Sequence, residues 1–251
     1  YLLQKGRGGY RLGHDRIFDH MMLDGLEDAY EAGRSMGTFG EDCAAKYSFT
    51  REQQDAFATA SVQRAKAATE SGAFAAEIVP VTVKDRSGER VVSVDEGPGK
   101  VKLEKIATLK PAFKKDGTIT AASSSSINDG AAALVMMRES TAKKLGAKPL
   151  ARIVSHATHA QEPEWFATAP LGATQKALAK AGWQVGDVQL WEINEAFAVV
   201  PMALMKELDL PHDKVNVNGG ACALGHPIGA SGARIMVTLI HALKARGLTK
   251  G

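Results

Sequence analysis

Cysteine is scarce in this chain of 251 residues: there are two, Cys43 and Cys222, far apart and outside any Cys-x-x-Cys spacing. That excludes a disulfide framework and a zinc ribbon, and it fits a reducing, cytoplasmic compartment. Proline is sparse as well, at 9 residues, and with 45% hydrophobic and 24% charged residues the composition leaves disordered, collagenous and coiled-coil readings without support. No apolar run approaches the ~18 residues that a membrane helix needs, so no membrane partner is expected. Charge imbalance is missing too. Lys and Arg number 31 against 28 Asp and Glu, and the resulting +3 is too small to call for a nucleic-acid partner. Any anion site must be local. The remaining composition is that of a globular chain long enough for one large domain or two ordinary ones.

Thr50-Arg51-Glu52-Gln53 reads as a capping box opening a long amphipathic helix, with Ala56, Phe57, Ala60, Val62 and Ala65 giving the spacing and Gly72 the stop. Glu77 to Lys84 and Glu89 to Glu96 are rich in Ile and Val and flank Asp85-Arg86-Ser87-Gly88, the composition of a hairpin. Before the helix, Tyr1 to Gly40 looks like an irregular lobe with one helical piece near Met21 to Ala32. From Asp129 the texture changes. Strands are expected at Ala131–Met137, Ala151–Val154, Val188–Ile193 and Lys214–Val217, alternating with helices at Ser140–Leu145, Leu171–Ala181, Glu195–Leu208 and Ser231–Arg246. Such alternation means βαβ units on a mostly parallel sheet, hence an α/β fold. Pro201 lies inside the third of these helices and predicts a kink there. The chain opens on Tyr1 without a methionine or a secretory pattern and closes on Lys250-Gly251 directly after a helical pattern, so both ends are expected to continue.

The unit from Val188 to Val217 is where chemistry is expected. Parallel strands of one crossover end on the same edge of the sheet, where open α/β folds place their ligands. Asn194 ends the first strand, and the second runs into a glycine-rich turn, Asn216 to Arg234, that contains His226. Such a turn permits positive φ and close backbone approach, and the helix after it offers a positive dipole end to an anion or oxyanion. His226 is the one residue there whose ordinary pKa of about 6.5 suits proton transfer near neutral pH. The plainer alternative is a tight connection with a structural histidine.

Three stretches bear on that choice. Gly219-Gly220-Ala221-x-Ala223-Leu224-Gly225-His226-Pro227-Ile228-Gly229-Ala230-Ser231-Gly232-Ala233-Arg234, preceded by Asn194-Glu195-Ala196-Phe197 and Ser126-Ile127-Asn128-Asp129-Gly130-Ala131-Ala132, closely resembles the thiolase family, on its acetyl-CoA acetyltransferase branch. The resemblance covers essentially the whole chain and is weakest from Lys84 to Ile106. It implies two βαβ-type domains with an inserted irregular lobe: residues 1–127 as the lobe, 128–161 as the end of a first domain, and 162–251 as an incomplete second one. It implies acyl transfer between CoA thioesters, by Claisen condensation of acetyl-CoA or thiolysis of a 3-ketoacyl-CoA, with coenzyme A as substrate and no separate cofactor. It assigns His226 to activating a nucleophilic cysteine and Asn194 to holding a water that forms, with the histidine, an oxyanion hole.

The resemblance places the nucleophile in a segment ending before Tyr1 and the proton-transferring cysteine in a Cys-x-Gly-Gly-Gly motif after Gly251, so Cys43 and Cys222 match neither. Ser125 matches a serine contacting the pantetheine of CoA, with a plain turn as the alternative. Leu26, Met36 and Phe113 match positions lining the CoA and acyl pocket, and Ala196 and Phe197 belong to the same substrate-binding set; a core role is equally natural for apolar residues. Ser35 stands where acetoacetyl-CoA enzymes often carry a histidine, and Asp95 to Lys100 lacks the arginine often found near the CoA adenine. Lys5, Arg7, Arg11 and Arg16 are candidates to replace that charge, against the simpler reading of a solvated basic face. His156-Ala157-Thr158-His159 does not place two rings on one face of a strand end, and no metal is expected. The resemblance also implies a homotetramer built as a dimer of dimers through lobe contacts, whereas the hairpin covering the lobe's own helix is the alternative. A longer-chain degradative thiolase, a non-catalytic CoA or lipid carrier, and a serine hydrolase are the rival functions; the last lacks a Gly-x-Ser-x-Gly elbow.

Overall fold

The structure, a computed structural model, describes all residues from Tyr1 to Gly251. Helix α1 spans Met36–Tyr47 and α2 spans Arg51–Glu70. The start of α2 follows from local chemistry: the Thr50 hydroxyl accepts from the Gln53 amide at 3.2 Å, while the Gln53 side chain accepts from the Thr50 amide at 3.0 Å. Beyond its end, Gly72 takes φ +75°, a conformation that glycine adopts without steric cost. The buried face of α2 is Phe57, Ala58, Val62, Ala65 and Ala68. Phe57 packs on Ala198 and Cys222, and Val62 and Ala65 pack on Ala223, so this helix is the floor beneath the glycine-rich turn.

The hairpin is present but shorter than its composition suggests: β1 (Val81–Asp85) pairs antiparallel with β2 (Gly88–Val92), Val81 opposite Val92 and Asp85 opposite Gly88. A single turn, α3 (Gly97–Lys100), follows it. Helices α4 (Glu139–Leu145) and α5 (Ala169–Ala181) both end on left-handed glycines, Gly146 and Gly182, as expected of C-terminal caps. Helices α6 (Val199–Leu208), α7 (Ala221–Leu224) and α8 (Ile228–Ala245) complete the chain. The largest core cluster joins Cys43 and Ala44 of α1 to Val199, Val200 and Ala203 of α6, with Ile119 and Phe197 between them.

Several expectations need correction. The helical piece expected over Met21 to Ala32 is a five-residue π turn, Met22–Leu26. Helix α6 begins at Val199 rather than Glu195, which puts Pro201 in its first turn. Amides there have no intrahelical acceptor, so the proline breaks no hydrogen bond and makes no kink. Helix α8 begins at Ile228, three residues before Ser231, with Pro227 as its N-cap. The expected parallel sheet is reduced to one parallel bridge, Trp191 to Val215. Residues 131–137 and 151–154 carry strand-like sequences but form no ladder with any other segment.

Candidate active site

The Trp191–Val215 bridge brings two chain segments to one edge. Trp191 donates its amide to Lys214 O at 2.8 Å, and Asn216 donates to Trp191 O at 2.9 Å. Asn216, at φ +47°, then clamps the neighbouring segment: its side chain accepts from the Ile193 amide and donates to the Ile193 carbonyl, both at 2.8 Å. The same amide group donates to Glu195 Oε1 at 2.8 Å. Glu195 is fully buried and also accepts from the Ser61 hydroxyl at 2.7 Å and from the Cys222 amide at 3.0 Å. One carboxylate therefore ties α2, Asn216 and the start of α7 together.

This clamp explains the glycines. A methyl group on Gly220 would sit 2.3 Å from Glu195 Oε1, and one on Gly219, at φ +80°, would sit 2.5 Å from the Ser61 carbonyl. The turn must lie against the clamp, and any side chain would push it away. Asn194 and His226 meet above this base, with Asn194 Nδ2 3.3 Å from His226 Nε2. The other ring nitrogen, Nδ1, is 2.6 Å from the Ser231 hydroxyl, which itself donates to Pro227 O at 3.1 Å. Because the hydroxyl proton is committed to the carbonyl, Nδ1–H donates to Ser231 Oγ and Nε2 holds a lone pair toward Asn194. That is the tautomer of a base. Burial, reinforced by the Arg234 charge, holds the imidazole below its ordinary pKa, so the ring is neutral near pH 7. Asn194 Oδ1 is buried and has no hydrogen-bond partner. Beside His226, residues 128–132 and 227–230 line an open groove of about 440 Å³.

Five of the six expected substrate residues come together on the far side of the Asn194 loop. The Ser125 amide and hydroxyl both donate to Ala196 O, at 3.1 and 3.0 Å, and Ser124 forms an antiparallel bridge with Phe197. Phe197 meets the Phe113 ring edge to face at 5.6 Å, and Phe113 presses on Gly37, where a methyl group would come within 2.2 Å of its ring. Met36 packs against the Phe197 cluster. Leu26 joins from another direction: the Glu27–Ser35 bridge sets it in register beside Met36, and Gly25 faces Ile228 at the start of α8.

Burial pushes the Cys43 thiol up to about 11, and Cys222 is raised well above its ordinary value by burial and by Glu195. Neither is a thiolate near neutral pH. His159 is engaged by Lys176 Nζ at 3.0 Å and by Gln161 Oε1 at 3.1 Å, and no group of three or more His, Cys, Asp or Glu side chains is arranged to hold a metal ion. Lys5 is paired with Asp15 at 3.1 Å. Sequence reasoning missed Glu195, Asn216 and Ser231. Glu195 was in view inside the Asn-Glu-Ala-Phe motif, and a carboxylate amid apolar residues beside a double glycine is the signal that could have marked it.

Comparisons with known proteins settle the ancestry. Residues 1–140 match the family model for the thiolase N-terminal domain, and residues 147–251 match that for the thiolase C-terminal domain. The chain belongs to the thiolase family. It is 53% identical to the acetyl-CoA acetyltransferase of Escherichia coli strain K12 and 52% identical to the probable acetyl-CoA acetyltransferase of Dictyostelium discoideum, over all of this chain and 64% and 61% of those proteins. Among solved structures, the acetyl-CoA acetyltransferase of Bacillus anthracis superposes with a TM-score of 0.93 at 48% identity, covering 99% of this chain and 63% of that one. Human mitochondrial 3-ketoacyl-CoA thiolase superposes with a TM-score of 0.89 at 38% identity, covering 98% of this chain and 62% of that one. The architecture is the α/β thiolase fold, and the chain spans less than two thirds of the length of these relatives.

Proposed function

We propose that the protein transfers acyl groups between CoA thioesters, either condensing two acetyl-CoA molecules or cleaving a 3-ketoacyl-CoA with coenzyme A. The observation that carries this reading is the His226 arrangement: Ser231 fixes the Nδ1–H tautomer, and burial keeps Nε2 free to take the proton of a cysteine nucleophile. Asn194 stands beside it with a second N–H and an unpartnered Oδ1, the groups needed to hold a water at a developing oxyanion. Neither Cys43 nor Cys222 suits the nucleophile, since both are buried thiols. The cysteine that carries the acyl group lies outside these 251 residues in this reading, as does the one that moves the proton at the substrate's Cα.

Ser125, Ala196, Phe197, Phe113, Met36 and Leu26 form the wall for the acyl and pantetheine parts, and coenzyme A enters as a substrate with no further cofactor. Lipid metabolism in the cytoplasm is the setting. The exposed valines of the hairpin, Val79, Val81 and Val91, support a homotetramer assembled through the lobe. Thiolysis of acetoacetyl-CoA by the natural full-length protein tests the activity, and its absence at saturating coenzyme A would overturn it. Light scattering tests the assembly: four subunits are expected at micromolar concentration, and a single subunit would refute oligomerisation.

A further inference from the structure

Glu192 lies two residues before Asn194, in the segment that follows the Trp191–Val215 bridge. On α8 Ser231 and Arg234 share a face because they are three residues apart. Two polar contacts join that segment to the turn and to α8: Asn194 to His226, whose other ring nitrogen meets Ser231, and Glu192 to Arg234. The second contact has an odd geometry. Glu192 Oε2 lies 3.8 Å from Arg234 Nη1, too far for a hydrogen bond, although the side chain is only 2% exposed. Neither of its oxygens has a hydrogen-bond partner. Arg234 turns instead to the Thr238 hydroxyl at 3.5 Å, and that hydroxyl donates to Glu77 Oε1 at 3.2 Å.

The charged groups acting on Glu192 are Arg234 from α8, Arg246 just past the end of α8, Glu195 from the loop before α6, and Glu77 from the segment after α2. Arg246 is itself engaged with Asn218 Oδ1 at 3.2 Å. The three carboxylates have unequal support: Glu195 has three donors, Glu77 has one, and Glu192 has none. A buried carboxylate without donors is the one that keeps a proton. We propose that Glu192 is a positioning residue that works as a neutral carboxylic acid, leaving the charge of Arg234 uncancelled so that it acts on His226 and keeps the imidazole an unprotonated base. The proposal rests on the reading of His226 as the base of acyl transfer. Electrostatics point the same way: burial, opposed by Arg234, pushes Glu192 up to about 8, and after burial Arg234 is the charge that holds His226 down. Above that value Glu192 ionises, cancels Arg234, and lets the affinity of His226 for a proton rise.

Infrared and NMR titration of the natural full-length protein test this without turnover. At pH 7 the wild type should show a protonated-carboxyl C=O band that is absent from Glu192→Gln. With histidine labelled at Cε1, the His226 resonance should titrate below ordinary histidine and show a second inflection near pH 8, and Glu192→Gln should lose the second inflection while keeping the low midpoint. Arg234→Met should raise the midpoint by roughly half a pH unit or more, and Arg234→Lys should restore it. If Glu192 is instead ionised at pH 7, the band and the inflection are missing and Glu192→Gln lowers the His226 midpoint further; that result overturns the proposal. The band and the inflection are read on wild type, so a variant that fails to fold does not remove the test. Loss of these signatures with thiolysis intact sinks the Glu192 assignment alone, and their presence without thiolysis sinks the functional reading alone.

Discussion

His226 is held at both ring nitrogens, and the two contacts do different work. The bond to Ser231 decides the tautomer, while the other ring nitrogen, the basic one, faces Asn194 Nδ2 at 3.3 Å. In the full-length protein His226→Ala should lower kcat by on the order of 10²-fold or more with the fold intact, because base and oxyanion donor go together. Steady-state thiolysis measures this, and wild-type activity in the variant would remove the histidine from the mechanism. Asn194→Ala should cost less, since a water can replace part of the side chain. The direction of the His226 shift gives a pH dependence. With a folded pKa below about 6.5, the imidazole stays neutral as pH falls through that value. The acid limb of kcat/KM should therefore lie below pH 6.5, and a limb above it would contradict the buried, Arg234-facing environment.

At the scale of elements, the decisive fit is between the glycine-rich turn and the Glu195 clamp above α2. Gly220 has an extended backbone, so glycine is needed there for space and not for conformation: a methyl group would meet a carboxylate anchored by three hydrogen bonds. Gly220→Ala should cost about 1–3 kcal/mol or more, as overpacking of a rigid site does, and chemical denaturation of the full-length variant reads it. Unchanged stability would mean that the clamp yields. Elements set by nearby residues were legible in the sequence: the Thr50 capping box, the Gly182 stop and the Asp85-Arg86-Ser87-Gly88 turn are each contained within a few positions. The meeting of Asn194 and His226 was legible as well, through crossover topology. The clamp was not, because Ser61, Glu195 and Asn216 are far apart in sequence and converge only when α2 packs beneath the turn. The strands over 131–137 and 151–154 failed for a related reason: residue type shows what can pair, and a ladder also requires a partner strand.

For the whole molecule, surface area is the informative quantity. The chain exposes 15916 Å², about half as much again as the ~10,700 Å² that surface scaling gives for a folded monomer of 26.6 kDa. The surplus, about 5,000 Å² on one chain, exceeds the share that a single partner contributes even to the larger obligate interfaces, about half of their ~5,000 Å² total. Its location is specific. Ile127, Val135 and Met136 in one extended segment, and Ile153 and Val154 in another, are exposed apolar residues on backbone that makes no ladder. Unpaired strand-like backbone with apolar side chains is a template for association. Residues 1–251 expressed alone should therefore bind a hydrophobic dye strongly, self-associate at micromolar concentration and melt without a sharp transition, and a polypeptide that covers these two segments should suppress all three. Fluorescence with such a dye, sedimentation and calorimetry decide the matter. A monomer that ignores the dye and melts cooperatively would show that the extended segments are stable in water as they stand, and that the excess surface marks no interface.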